Sequence, residues 1–464
     1  ALGSGRLHPV MQVFGSSGTR GRVTEELTPE FVLRVAAAAG TVWGADRVAL
    51  GRDTRLTGPM LADAAASGLA SVGADVDRVG VVPTPALQSY AEAEGIPAVM
   101  VTASHNPPAY NGIKLVGADG VELSVERLEA IESVLLDGSQ THAPWDETGR
   151  DRSVEGVRRR YREELLGAVD REAIAAADLT VAIDPGHGAG SLTSPAFFRE
   201  LGCAVRTVNA HPDGHFPGRD PEPVESNLSD LGELVAATDA DVGIAHDGDA
   251  DRAIFFDEQG QYVEGDATLA ALADAALGPG DTTVSAVNVS QRLVDVADQS
   301  GAELELTPIG STKIMTRIRE LESAGESVPV AGEGNGGVIF PDYRINRDGA
   351  YTAARFLSLL TDRPASEVLA PYDGYANVRR NVHYADEAER ATLVEAAGEW
   401  ARGADGEVTT IDGYRVDFGD AWVLARPSGT EPVVRVYAEA RKASRATDLV
   451  AAVVDVLEDA AAGG

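Results

Sequence analysis

Short apolar runs recur along the chain, and each ends in a loop of Gly, Asp, Ser or Asn: VALGRD at 48–53, AVMVTASHN at 98–106, LTVAIDPGHG at 179–188, VGIAHDGDADR at 242–252, TVSAVNVS at 283–290 and VPVAGEGNGG at 328–337. A helix-compatible segment follows each. Continuous apolar strands alternating with helices predict parallel sheets covered on both faces, with function gathered in the loops at the strands' C-terminal ends. The spacing predicts helices over 30–40, 58–73, 124–136, 155–168, 193–201, 228–238, 265–276, 291–300, 312–324 and 350–361. From 375 onward the pattern changes to a strand-like YANVRRNVHY (375–384), a helix-like 386–402, strands around 406–425 and 432–440, and a closing amphipathic helix near 443–461. Adjacent strands with two helices set among and after them describe an α+β cap.

At 464 residues the chain is too long for a single hydrophobic core. The polar stretch DGSQTHAPWDETGRDRS (137–153) and the turn-rich TDRP (361–364) help to place boundaries near 150, 256 and 366. The expected domains are therefore 11–150, 151–255, 256–365 and 366–464. No run approaches the roughly 18 consecutive apolar residues of a membrane span, so a soluble protein is expected. Cys203 is the single cysteine, which excludes an intramolecular disulfide and fits a reducing, cytoplasmic compartment. Its apolar flanks predict a buried structural thiol. No secretion signal is read at the start, and ALGSGRLHPV (1–10) is expected to be an added or alternative start ahead of Met11.

The net charge is −34, and lysine occurs only at Lys114, Lys313 and Lys442, leaving 39 − 3 = 36 arginines. An acidic, lysine-poor surface reads as adaptation to high salt, where repulsion is screened within a few ångströms. It also argues against a nucleic-acid partner, which needs a basic footprint.

The richest local feature is Asp247-Gly248-Asp249-Ala250-Asp251-Arg252, three carboxylates at alternate positions after an apolar strand. A tight turn lets such side chains converge on a hard cation such as Mg²⁺. A helix–loop–helix calcium site would need Gly where Arg252 stands, and its flanks would be helices. Ser104, in Thr102-Ala103-Ser104-His105-Asn106-Pro107, is placed on a strand-end loop to be a nucleophile or phosphoryl carrier, although Asn-Pro makes a turn by itself. The flanks of Ser104 are not those of G-x-S-x-G. Lys114, retained beside this loop in a chain that has nearly abandoned lysine, suggests acid–base work that arginine cannot do, and Lys313 is flagged by the same logic. Arg426-Pro427-Ser428-Gly429-Thr430-Glu431-Pro432 combines a guanidinium, two hydroxyls and Gly-exposed backbone that suit phosphate oxygens. Phe14-Gly15-Ser16-Ser17-Gly18-Thr19-Arg20-Gly21 offers a similar turn with an arginine. Gly186-His187-Gly188-Ala189-Gly190 lacks dinucleotide spacing and reads as a tight turn; the histidines show no zinc pattern.

In this order the pieces resemble the α-D-phosphohexomutase superfamily, whose members include phosphoglucosamine mutases, phosphomannomutases and phosphoglucomutases. FGSSGTRG is similar to its N-terminal signature, TASHNP to its phosphoserine loop, DGDADR to its metal loop, GEGNGG to its sugar loop and RPSGTEP to its phosphate-binding loop. The resemblance runs from Met11 to the end. It implies an α/β fold of three similar domains with mixed, mainly parallel sheets, plus an α+β cap domain, around a central cleft. It implies that Ser104 carries the phosphoryl group and binds Mg²⁺ together with Asp247, Asp249 and Asp251, with Arg20, Lys114 and His105 as helpers. Glu333 and Asn335 would meet sugar hydroxyls; Arg426, Ser428, Gly429 and Thr430 would anchor the other phosphate; Arg252, Gly310, Lys313 and Arg435 are further substrate contacts. The implied partners are a hexose phosphate and a hexose 1,6-bisphosphate, in a monomer or homodimer. Many members end the sugar loop in Ser-Gly-His, whereas Asn335-Gly336-Gly337 stand here, as in archaeal members. Arg435 after RPSGTEP leans toward glucosamine phosphate. A metal-dependent phosphatase and a non-catalytic sugar-phosphate sensor are the rival readings.

Overall fold

Local signals start and stop the helices. In the computed structural model, which describes residues 14–15, 18–428 and 431–463, the helix Pro29–Trp43 opens on Thr28, whose hydroxyl accepts the Phe31 N–H at 3.2 Å, and closes on Gly44 at φ 56°. Proline is tolerated at its first position because that N–H has no partner inside the helix. Ser124 and Ser290 cap Val125–Asp137 and Gln291–Ser300 in the same way.

The chain forms two compact units, one running to Ala253 and including Asp348–Tyr351, the other made of Ile254–Arg347 and Thr352 onward. The first unit holds a six-stranded sheet in the order Thr19–Arg22, Tyr110–Val116, Ala98–Val101, Arg47–Arg52, Asp75–Val81, Asp151–Ser153. The last four strands are mutually parallel, while Tyr110–Val116 runs antiparallel to both its neighbours. This departs from the purely parallel pairing that the apolar runs predict. The reason is length: the connection 102–109 is shorter than the roughly dozen residues of a parallel crossover, so the chain reverses. Leu50 points into a core with Val32, Val35, Leu61, Leu69 and Ile131 of three covering helices. Its neighbour Gly51 meets Leu87 of the helix Thr84–Glu94 on the opposite face. A further parallel set, Ala204–Thr207, Thr180–Asp184 and Val242–Ala245, is covered by Ser194–Glu200 and Ser229–Thr238.

The second unit begins with the hairpin Ile254–Phe256 and Tyr262–Val263. Its first sheet has the order Glu303–Thr307, Thr282–Ala286, Ala331–Glu333, Gly337–Phe340, Arg344–Arg347, with the first three parallel and the rest antiparallel. Its last sheet is antiparallel throughout: Ala376–His383, Val433–Ala440, Ala421–Pro427, Tyr414–Asp417, Glu407–Thr409. One face buries Val423 and Val436 under Glu387–Gly403 and Ala443–Gly463, and the other sends Trp422 and Leu424 against Val287. The fold is thus α/β with mixed sheets and an α+β C-terminal part. Cys203 is buried, and burial pushes its thiol up to about 11. No helix among the described residues is long and apolar enough to cross a membrane.

Candidate active site

The strand Ala98–Val101 is wholly buried, and the chain leaves it through a turn that holds Ser104 at φ 51° with no exposed surface. A left-handed serine is disfavoured by about 1–2 kcal/mol, so its neighbours have to hold it. Thr102 Oγ1 accepts the Ser104 N–H at 2.9 Å and donates to Asp53 Oδ2 at 2.7 Å. The strand Val242–Ala245 ends nearby, and one oxygen each from Asp247, Asp249 and Asp251 lies within 4.8 Å of the others. Ser104 Oγ donates to Asp247 Oδ2 at 2.5 Å. Gly248 lets the two loops meet, because a Cβ there would stand 2.6 Å from the Ser104 carbonyl oxygen.

Lys114 lies on the neighbouring antiparallel strand, is 1 % exposed, and donates to Asp249 Oδ2 at 2.7 Å and Asp251 Oδ2 at 2.8 Å. Thr84 donates its hydroxyl to Asp249 Oδ2 at 2.5 Å and its N–H to the Asp249 carbonyl at 2.9 Å. Arg252 Nε stands 4.0 Å from Asp247 Oδ2 and 3.9 Å from Asp251 Oδ1. His105 Nδ1 is 3.4 Å from Ser104 Oγ, and Arg20 donates to Asn106 Oδ1 at 3.2 Å. Ala189 of the GHGAG turn donates its N–H to the Gly248 carbonyl at 2.9 Å, so that turn props the aspartate loop.

Burial, reinforced by the charges of Asp249 and Asp251, pushes the Asp247 carboxyl well above the usual carboxylate range. Asp249 feels the same burial, but the charge and hydrogen bond of Lys114 and the Thr84 hydroxyl hold it far below. Burial also pushes His246 down to about 4, and its Nδ1–H donates to the Arg252 carbonyl at 2.7 Å. Asp249 Oδ1 is buried and receives no hydrogen bond. An all-oxygen set, net negative and with a bare carboxylate oxygen, fits a hard divalent cation better than it fits a closed salt bridge.

The remaining predicted residues lie in the second unit. Glu333 closes the strand Ala331–Glu333, and Asn335 donates to its Oε2 at 3.4 Å while accepting the Gly337 N–H at 3.0 Å. Gly310, at φ 132°, precedes the helix Ser311–Ala324, whose first turn carries Lys313. Arg426 and Arg435 face each other across paired strands. Arg426 Nε donates to Asp412 Oδ1 at 3.2 Å, and Asp412 Oδ2 accepts the Ile309 N–H at 3.1 Å, so Asp412 joins the Arg426 loop to the 307–313 loop. Arg435 donates to Glu431 at 2.6 Å, and Ser428 Oγ accepts the Glu431 N–H at 3.3 Å. Gly429 and Thr430 lie outside the described residues, as do Ser16 and Ser17. Asp53, Arg55, Thr84 and Asp412 were not singled out from sequence. For the first two the signal was present, since GRDTR leaves a strand end as the other loops do; Asp412 sits in an ordinary Asp-Gly turn and gave none.

The site and the fold together define a phosphohexomutase. The chain belongs to the phosphoglucomutase/phosphomannomutase family: models of its alpha/beta/alpha domains I, II and III match residues 11–142, 159–260 and 264–375, and the C-terminal domain model matches 380–456. Among its relatives, a phosphoglucomutase/phosphomannomutase of Thermococcus kodakarensis is 42% identical over 97% of this chain and 100% of its own length. A probable phosphoglucosamine mutase of Methanopyrus kandleri is 43% identical over 96% of this chain and 97% of its own. The crystal structure of a phosphoglucomutase/phosphomannomutase family protein from Burkholderia thailandensis superimposes with a TM-score of 0.83 at 28% identity, covering 97% of both chains.

Proposed function

We propose that the chain interconverts hexose 1-phosphates and 6-phosphates through a phosphoserine at Ser104 and a hexose 1,6-bisphosphate, with glucosamine phosphate as the preferred substrate. The observation that carries this reading is the Ser104 hydroxyl, 2.5 Å from one of three converging aspartates on a separate loop. Asp247, Asp249, Asp251 and a phosphoserine oxygen would hold Mg²⁺, which when bound neutralises charge on the phosphoryl oxygens. The chain's own groups do the rest. Arg20 and Lys114 balance charge around the phosphoserine. As a sugar hydroxyl bonds to phosphorus and the bond to Ser104 Oγ breaks, Lys114, with His105 beside the serine, carries the hydroxyl proton to the departing serine oxygen. Glu333 and Asn335 orient the sugar, with Arg252, Gly310 and Lys313 as further contacts. Arg426, Ser428, Gly429, Thr430 and Arg435 grip the phosphate that does not react. The bisphosphate then turns round and returns its other phosphate to Ser104.

The reading keeps the four domains 11–150, 151–255, 256–365 and 366–464, and a cytoplasmic, salt-adapted enzyme. Arg435 after RPSGTEP and relatives named as probable phosphoglucosamine mutases support the glucosamine substrate. The name of the Thermococcus relative supports mannose or glucose phosphate instead. A coupled isomerisation assay in high salt with Mg²⁺, run on glucosamine, mannose and glucose 1- and 6-phosphates, decides. Interconversion stimulated by hexose 1,6-bisphosphate is expected; steady release of inorganic phosphate would mark a phosphatase, and binding without turnover a sensor.

A further inference from the structure

Arg55 follows the strand Arg47–Arg52, has no exposed surface, and commits its entire donor set around the turn that carries Ser104. Nη2 donates to the Ser104 carbonyl at 2.9 Å and the Asn106 carbonyl at 2.6 Å. Nη1 donates to the Pro107 carbonyl at 2.8 Å and the Tyr110 carbonyl at 2.8 Å. Nε donates to Asp53 Oδ2 at 3.1 Å, and the Phe216 ring lies 5.3 Å from the guanidinium carbon. Four carbonyls that converge on one point repel one another and cannot be left unpaired in a buried site. A planar fork of five N–H groups answers that arrangement, whereas an ammonium offers three donors in a cone.

The other side of Ser104 is held from the same loop. Asp53 Oδ1 accepts the Arg55 N–H at 2.9 Å, its Oδ2 accepts the Thr102 hydroxyl, and Thr102 Oγ1 accepts the Ser104 N–H. The serine is therefore gripped at its carbonyl by Arg55 and at its amide by Thr102, with Asp53 joining the two grips. That grip keeps a non-glycine residue at φ 51°.

We infer that Arg55, backed by Asp53 and Thr102, is the positioning residue of the phosphoryl carrier, aiming Ser104 Oγ at the aspartates by fixing the backbone on both sides of it. The inference rests on the mutase reading of Ser104. Arg55 touches no reacting atom, so its effect is on geometry: a misplacement of about 1 Å costs on the order of 10² in rate.

The test uses full-length enzyme phosphorylated with glucose 1,6-bisphosphate, with phosphate on Ser104 counted by intact mass, then mixed with excess hexose monophosphate in a single turnover. In Arg55→Lys the transfer rate per phosphorylated serine should fall about 10²-fold while KM for the sugar phosphate stays unchanged. A purely structural role would reduce the fraction of protein that folds and takes phosphate, and leave the rate per phosphoserine at the wild-type value; that result overturns the inference. Should Arg55→Lys fail to fold, Thr102→Val, which deletes the acceptor for the Ser104 N–H together with the hydroxyl bond to Asp53, decides in the same assay by the same criterion. Wild-type enzyme that takes no phosphate on Ser104 would sink the mutase reading itself, a result separable from one in which both proteins are phosphorylated and transfer equally fast.

Discussion

A serine hydroxyl on a carboxylate that burial and two like charges push toward its neutral form is a resting pair. Adding a phosphoryl group there replaces one neutral donor by a dianion, which the surrounding cations have to meet. Ser104→Ala removes the carrier but leaves the sugar and phosphate loops intact, so kcat should fall by at least ~10³ while sugar-phosphate binding, read by calorimetry, persists. Wild-type turnover in that variant would remove Ser104 from the reaction. Lys114 makes a sharper case at the same scale. Its ammonium fills a slot between Asp249 and Asp251 that is 1 % exposed, where a planar fork cannot take the same two bonds without moving a carboxylate. Lys114→Arg should therefore lower kcat about 10²-fold although the charge is kept, and Lys442→Arg, on an exposed segment, should change nothing. Equal activity in the two variants would refute a special task for Lys114. The scarcity of lysine made Lys114 visible in the sequence, and Asp249 and Asp251 stood out in their acidic loop; that the three pair, across 135 and 137 residues of chain, was not legible.

Among the elements, amphipathic helices with caps were legible, and so was the largely buried Gly265–Ala276, whereas Thr84–Glu94 was not. Pro29–Trp43 shows Thr-Pro at its start and Gly at its end. Thr84–Glu94 was missed because every residue from Thr84 to Ala91 is buried, Gln88 and Ser89 included, so no polar face marks a helical period. The short helices Arg171–Ala176 and Ala365–Leu369 give too few turns for a period to show. Strand partners were equally hidden. Asp77, on Asp75–Val81, accepts from Arg152 on the adjacent strand at 2.5 and 2.9 Å and from the Tyr90 hydroxyl at 2.7 Å. Burial alone would raise this carboxyl, but the Arg152 and Tyr90 hydrogen bonds hold it below its ordinary value of 3.8. A lowered folded value means the contribution is fully present above 3.8 and is lost as pH falls through the folded value. Without Arg152 the burial penalty is less opposed and the carboxyl takes up its proton at higher pH. Arg152→Ala should lower stability at pH 7, and the gap to wild type should close as the medium is acidified below the ordinary carboxylate value of 3.8. Denaturant melts at stepped pH check it; a gap that stays constant would assign the loss to packing instead of to Asp77.

The whole molecule carries 73 acidic and 39 basic side chains, and the basic ones are almost all arginine. Five loop motifs in family order were enough to give the fold class; four of them, TASHNP, DGDADR, GEGNGG and RPSGTEP, lie where a strand ends and the chain must turn, while FGSSGTRG runs into the strand Thr19–Arg22. The charge required a different argument, since no motif encodes it. A net charge of −34 spread over one chain opposes compaction, and the buried pairs of Arg55 with Asp53 and Arg219 with Asp184, each neutral, leave that excess untouched. In dilute salt the Debye length is roughly 10 Å at 0.1 M, comparable to the spacing of surface carboxylates, and it shrinks to about 3 Å at 1 M. Repulsion between surface carboxylates is thereby removed, while the buried pairs and the apolar cores, which ions do not reach, keep their strength. Excess salt should therefore act almost wholly in favour of the folded state. The midpoint of thermal unfolding should rise steadily from 0.1 to several molar KCl, by roughly ten degrees or more if screening removes several kcal/mol. A midpoint that is flat or falls over that interval would mean that the acidic surface is not what limits stability. A rise produced equally by a neutral osmolyte at matched osmolality would point to surface exclusion in place of charge.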